Sequence, residues 1–299
     1  MIAIITTYFN PTSCKYRFQH YQKFKEHIDK AGVDLFTIEL VVGNGSFELT
    51  SEKVKQVRCN SLMFQKERLL NILIAELPDK YDSVCWMDCD LLYLQDDWPG
   101  RIEECLKDCV VCQPYQYAVS LPDSSLHFSQ QATLHFYNCH GSGIVRRSLA
   151  SCRNQHNPVN IYIGHVGYVW AARREFLQRH LLYDPIITGC GDLIMAMGYF
   201  GYFGIEDFHI LTEEAQLHFF NWAYPVSKEV KDNVGFTSDL IVHLWHGDIS
   251  DRNYLNDSRC LKTCNFSPRD LRISESGCFE WNSCNFELQN KIKQLFTKN

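Results

Sequence analysis

The chain has 299 residues, 45% hydrophobic and 21% charged, the profile of an ordinary globular protein. Its net charge is −6, from 29 Lys and Arg against 35 Asp and Glu, so it lacks the overall basic excess with which proteins grip nucleic-acid phosphates. Apolar runs long enough to cross a bilayer are absent from the sequence, and no membrane span is expected.

Residues 1–8 form an apolar run ended by Asn10-Pro11, which predicts a first buried strand. This start has neither a basic region nor a cleavage site, so it does not read as a signal peptide. The fourteen cysteines are scattered through apolar segments, which suits free buried thiols in a cytoplasmic protein better than a disulfide scaffold. The Cys109-x-x-Cys112 pair has no second such pair at zinc-site spacing.

Residues 16–31 carry Phe18, Tyr21, Phe24 and Ile28 at helical spacing. Residues 35–42 read as a strand running into Gly43-Asn44-Gly45. A helix is predicted over 64–77, with Leu69, Ile72, Leu73 and Leu77 on one face and Pro78 as the stop. Residues 83–87 give another strand, followed at once by Asp88-Cys89-Asp90. This alternation predicts a mostly parallel sheet wrapped by helices, an α/β fold in a single domain with insertions. Ligands bind such sheets beyond the carboxyl ends of the strands, where the two aspartates fall.

A helix over 100–106 and a strand over 110–117 follow. Residues 120–142 read as a long polar loop and a candidate binding element. Residues 164–180 start with a glycine turn and continue as a helix around 171–177. Gly189-Cys190-Gly191-Asp192 is a tight turn before an apolar helix over 193–200. A late strand over 239–245 ends in His243-Leu244-Trp245-His246-Gly247, and a last helix covers 286–296.

Two carboxylates one residue apart at a strand end, Asp88 and Asp90, can bind a hard divalent cation that in turn holds a diphosphate; a solvated acidic turn or a helix cap is the alternative. His243 and His246, three residues apart, can reach one metal, and imidazole suits Mn²⁺ better than Mg²⁺; one core and one surface histidine is the alternative. Asp192 is placed either as a helix N-cap or as a general base that takes a proton from a hydroxyl. In Gln65-Lys66-Glu67-Arg68, Lys66 or Arg68 can pair with phosphate or simply form a solvated face. Trp170 and Trp245 suit either stacking on a sugar or base, or core packing.

Taken in order, these residues resemble the GT-A nucleotide-sugar glycosyltransferases, above all the β-1,4-galactosyltransferase type with its bacterial and phage relatives. The likeness runs through Gln65-Lys66-Glu67-Arg68-Leu69-Leu70-Asn71, Val84-Cys85-Trp86-Met87-Asp88-Cys89-Asp90, and the stretch from Gly164 to Arg174. His243 to Gly247, then Arg252 and Tyr254, complete it. The resemblance implies a Rossmann-like GT-A domain over 1–281, with a nucleotide-sugar-binding half at 1–117, an acceptor and catalytic half at 118–254, and a terminal helix at 282–299.

It further implies Asp192 as the catalytic base of an inverting displacement. A donor site would comprise Thr6, Tyr8, Lys66, Asn71, Asp88, Asp90 and Trp170, and a metal site Asp90, His243 and His246. The implied cofactor is Mn²⁺ or Mg²⁺ and the implied donor a UDP-sugar, with a glycan or other hydroxyl as acceptor and a lid near 247–254. Where galactosyltransferases have Trp-Gly-Gly-Glu-Asp this chain has Gly189-Cys190-Gly191-Asp192, so the acceptor-holding Glu is missing. Two other readings remain open: transfer to hydroxymethylated bases in DNA, favoured only by a basic face of Arg146, Arg147, Arg153, Arg173 and Arg174, and a non-catalytic nucleotide-sugar-binding protein.

Overall fold

In the computed structural model, strand β1 (Ile2–Phe9) is buried along most of its length. The structure describes residues 1–121, 139–142, 166–203, 210–231, 233–245 and 254–296. Helix α1 (Lys15–Lys30) packs His20, Tyr21, Phe24 and Ile28 inward, and β2 (Asp34–Val42) returns parallel to β1. Strand β3 (Val54–Cys59), which the sequence reading omitted, lies parallel to β2 at the sheet edge. It buries Val57 and Cys59, while Gln56 and Arg58 between and beside them stay exposed, as an edge strand permits.

Helix α2 (Lys66–Glu76) buries Leu69, Leu70, Ile72, Leu73 and Ile74 against this sheet; each such side chain contributes roughly 1.5–3 kcal/mol. Strand β4 (Ser83–Met87) is buried throughout and runs parallel to β1 on its other side.

After β4 come β5 (Leu91–Tyr93) and α3 (Trp98–Asp108). The single strand expected over 110–117 is two: β6 (Val111–Gln113) in the main sheet and β7 (Tyr117–Ser120) in a second sheet. Pro114, which has no N–H for a ladder, stands at the break. Strand β8 (Cys139–Ser142) pairs antiparallel with β7; the rest of the expected 120–142 loop lies outside the described residues.

The helix expected around 171–177 begins later, because Ala171 and Ala172 belong to β9 (Val169–Arg173). That strand runs antiparallel between β4 and β6, where small buried side chains fit and tertiary context overrides the helical preference of alanine. Helix α4 (Arg174–His180) follows directly, then α5 (Gly191–Tyr199).

The longest element among the described residues, α6 (Glu213–Val230), was also not anticipated. Its signals were local: Thr212 caps it by accepting the Ala215 N–H, and Glu213 and Glu214 fill its first turn. Ala215, Phe219, Ala223, Val226 and Val230 form its buried stripe, but Pro225 interrupts the pattern.

Strands β10 (Val234–Phe236) and β11 (Leu240–His243), helix α7 (Tyr254–Thr263), the hairpin β12 (Leu271–Ile273) and β13 (Phe279–Trp281), and helix α8 (Phe286–Leu295) complete the described chain. The main sheet has the order β10-β6-β9-β4-β1-β2-β3, and every neighbouring pair is parallel except those of β9. This is a mixed α/β fold with a largely parallel, Rossmann-like central sheet flanked by helices.

The smaller sheet, β5-β11-β7-β8, carries His243 at the end of β11. The late hairpin is fastened to the start of α2. Phe279 N–H donates to Gln65 Oε1 at 2.7 Å, Trp281 N–H to Ser61 Oγ at 3.1 Å, and Arg68 Nε to Gly277 O at 2.6 Å. No described helix is long and apolar enough to cross a membrane.

Candidate active site

Strand β4 delivers Asp88 to the carboxyl edge of the sheet. Thr6 on β1 donates its hydroxyl to Met87 O at 2.7 Å, and Asp88 N–H donates to Tyr168 O at 2.9 Å, so the peptide at the strand end is held from both sides. Lys66, the first residue of α2, reaches this edge. Its Nζ lies 2.6 Å from Asp88 Oδ1 and 3.1 Å from Asp192 Oδ2.

Asp192 is the second residue of α5, whose N-cap is Cys190. The N-cap alternative for Asp192 is therefore corrected: its carboxylate meets Lys66 instead. Burial alone would pull the Lys66 ammonium down, but Asp192 and Asp88 outweigh it and hold the ammonium well above its usual value. Burial raises the Asp88 carboxyl; Lys66 opposes this, while Asp192 and Asp90 add to the rise.

Glu67, to which the sequence reading assigned no role of its own, stands beside Lys66 and is buried. Its carboxyl packs on the α-carbon of Gly191: a Cβ there would lie 2.3 Å from Glu67 Cδ. Burial first, and then the charge of Asp192, push the Glu67 carboxyl up to about 8. Nothing local in the sequence marks this residue, because its neighbour across the joint is supplied by another helix.

Asp90 and His243 come together, with Asp90 Oδ2 3.6 Å from His243 Nε2. Leu244 N–H donates to Asp90 O at 2.9 Å, tying the end of β11 to the aspartate. The Tyr168 ring packs on the His243 imidazole at 5.1 Å between centroids. Carboxylate oxygen and imidazole nitrogen are a donor pair whose chemistry fits Mn²⁺. His246 lies outside the described residues, and among the described residues no group of three potential ligands surrounds one point.

Other expected site residues are engaged elsewhere. Asn71 is buried, donates to Leu182 O at 2.9 Å and Asp184 Oδ2 at 3.0 Å, and accepts from Leu182 N–H at 2.8 Å, so it fastens the 182–184 segment to α2. Arg68 serves Gly277 and Asp184, which corrects its reading as a phosphate partner. Tyr8 donates its hydroxyl to Glu48, and burial followed by that carboxylate raises its phenol far above the usual value.

Trp170 is core: 1% exposed, with Nε1 donating to Val166 O at 2.8 Å. Trp245 is half-buried, edge-on to Tyr16. Arg173 donates to Leu106 O and Lys107 O, and Arg174 to Leu77 O, Pro78 O and Tyr81 O. Arg173 thus meets the carbonyls at the end of α3 and Arg174 those that follow α2; Arg146, Arg147 and Arg153, the rest of the basic face considered for a DNA acceptor, lie outside the described residues.

No protein-family model matches the chain, and no curated protein does. Among solved structures, the catalytic domain of Drosophila β1,4-galactosyltransferase 7 in complex with xylobiose is similar at 14% identity and a TM-score of 0.33. The match covers 64% of this chain and 58% of that one, so this chain spans little more than half of that structure. A putative nucleotide-diphospho-sugar transferase from Desulfovibrio desulfuricans is similar at 11% identity and a TM-score of 0.34, over 99% and 96% of the two chains. 4-Diphosphocytidyl-2C-methyl-D-erythritol synthase from Anaerococcus prevotii is similar at 10% and 0.33, over 84% and 88%. At these scores none of the three bears on what this chain does.

Proposed function

We propose that this chain is a metal-dependent, inverting glycosyltransferase that moves a hexose from a UDP-sugar onto the hydroxyl of a saccharide. The observation that carries the reading is Lys66, whose ammonium draws Asp88 from the end of β4 and Asp192 from the start of α5 to one point, beside the Asp90–His243 pair.

Asp192 accepts the proton of the acceptor hydroxyl as that oxygen attacks the anomeric carbon and the bond to the diphosphate breaks. Attack and departure on opposite faces invert the configuration. Asp90, His243 and His246 would hold Mn²⁺ or Mg²⁺, which when bound supplies positive charge to the leaving diphosphate. Lys66 adds a second positive charge at the same edge, and Asp88, kept in place through Thr6, lies where the donor's ribose or sugar would sit. The twelve cysteines whose side chains are described are free thiols, as a cytoplasmic location would have them.

The test is hydrolysis of a panel of UDP- and GDP-sugars with Mn²⁺ or with EDTA, for wild type, Asp90→Ala and Asp192→Asn. Metal-dependent release of one nucleotide that needs Asp90 supports the reading and names the donor. A product that keeps the donor's anomeric configuration would overturn inversion and the role of Asp192. Failure of UDP with Mn²⁺ to bind at all, measured by calorimetry, would sink the enzyme assignment. Preferred transfer to hydroxymethylated DNA would replace the saccharide acceptor.

A further inference from the structure

The proposed chemistry leaves Glu67 without a part, although it occupies the joint on which the base stands. It is 3% exposed, next to Lys66 in the first turn of α2. Two consecutive residues of α2, Lys66 and Glu67, meet two consecutive residues of α5, Asp192 and Gly191. Lys66 Nζ is 3.1 Å from Asp192 Oδ2, and the Glu67 carboxyl lies where any side chain at position 191 would have to go. Glycine is required there by this close approach, since its φ needs no left-handed conformation.

We propose that Glu67 is a positioning residue: with Lys66 it fixes where the Asp192 carboxylate stands and the charge that surrounds it. This rests on Asp192 being the base. Titratable groups facing Glu67 are Lys66 on its own helix, Asp192 on α5 and Asp88 beyond β4, with the Tyr199 phenol at the far end of α5.

One ammonium in this cluster already faces two carboxylates. A third carboxylate charge in the same packed joint is opposed by burial and by Asp192 together. Glu67 therefore works as an uncharged acid: it fills the joint, leaves the Lys66 charge to Asp88 and Asp192, and does not repel the base. Once ionised it would push Asp192 away from its place, so the arrangement is built for neutral pH and weakens in alkali.

Carbon-13 NMR titration of the carboxyl groups in wild type, E67Q and D192N tests this without any substrate. A glutamate signal absent from E67Q should titrate near pH 8, and should move down in D192N. A titration near the ordinary glutamate value of 4.5, or one indifferent to D192N, overturns the proposal. Should E67Q not fold, E67D identifies the signal by its shift.

Hydrolysis of the UDP-sugar found with Mn²⁺ gives the second readout. E67A should lose roughly 10- to 100-fold in kcat with little change in KM, the cost of a misplaced catalytic group, and E67Q should restore most of it. Equal losses in E67A and E67Q would overturn the positioning role. Hydrolysis that ignores D192N would instead sink Asp192 as the base, while the NMR titration still decides the state of Glu67.

Discussion

Lys66 and Asp192 are 126 positions apart in the chain, and their charged groups stand 3.1 Å apart in space. The same ammonium is 2.6 Å from Asp88, so one side chain joins the carboxyl edge of the sheet to the start of a helix from the second half of the molecule. All three groups are more than half sheltered, which strengthens their attraction and makes the loss of any one costly.

Lys66→Met should leave Asp88 and Asp192 facing each other without a counter-charge. We expect a loss of about 2 kcal/mol in stability, below the roughly 3–5 kcal/mol for a fully buried pair, and at least a 100-fold drop in nucleotide release. Denaturant titration and the hydrolysis assay check the two parts separately. An unchanged rate would remove Lys66 from the site.

Gly191→Ala forces a methyl group into the Glu67 carboxyl and should cost about 1–3 kcal/mol by overpacking. Glu67→Ala makes room for that methyl. In a double-mutant cycle the pair should therefore be less harmful than the sum of the singles, with a coupling of roughly 0.5–3 kcal/mol. Simple additivity would mean that the two residues do not meet.

The raised Glu67 carboxyl has a consequence for stability against pH. A group whose folded value lies above its unfolded one stabilises fully below the unfolded value, and that contribution is lost as pH rises toward the folded value. Between the ordinary value of 4.5 and about 8, wild type should lose stability relative to E67Q. A difference of roughly 5 °C in Tm, growing across that window, is the expected result in matched thermal melts. Parallel curves for the two proteins would count against it.

Asp90→Asn should abolish Mn²⁺ binding, and His243→Ala should weaken it at least tenfold, since carboxylate and imidazole sit together at one end of β11. Electron paramagnetic resonance of free Mn²⁺ reads this directly: the signal that wild type suppresses should return in D90N. Undiminished binding in D90N would place the cation elsewhere.

Asn71→Ala removes three hydrogen bonds between α2 and the 182–184 segment and should cost about 2–3 kcal/mol. Because those bonds go to Leu182 and Asp184 and not to Asp88 or Asp192, the KM for the donor should stay within about twofold. A large rise in KM would return Asn71 to the donor site.

The sheet edge with its two aspartates was legible because residues 84–87 are an apolar run and the charges follow at once. The closeness of Asp90 to His243 was expected only from the family resemblance, which grouped them in one metal site; their own spacing gave two separate pairs. Pairing of Lys66 with Asp192 was not legible, since neither residue carries a local sign of the other. Ala171 and Ala172 misled because propensity is a local property while β9 is defined by the strands on either side. Helix α6 was hidden by Pro225, although Thr212-Glu213-Glu214 announced its start.

The ties between the late hairpin and the start of α2 set an order of events. Phe279 bonds to Gln65 across 214 positions, and Gln65 immediately precedes the lysine that gathers the site. While the chain is being synthesised, Lys66 leaves the ribosome early, but the anchor for its helix emerges only after some two hundred further residues. The nascent chain can form the β1–β2 pair, which is close in sequence, long before that anchor exists. A chain interrupted before the hairpin would therefore keep much of the sheet but lack the bonds that fasten the start of the helix carrying its central cation.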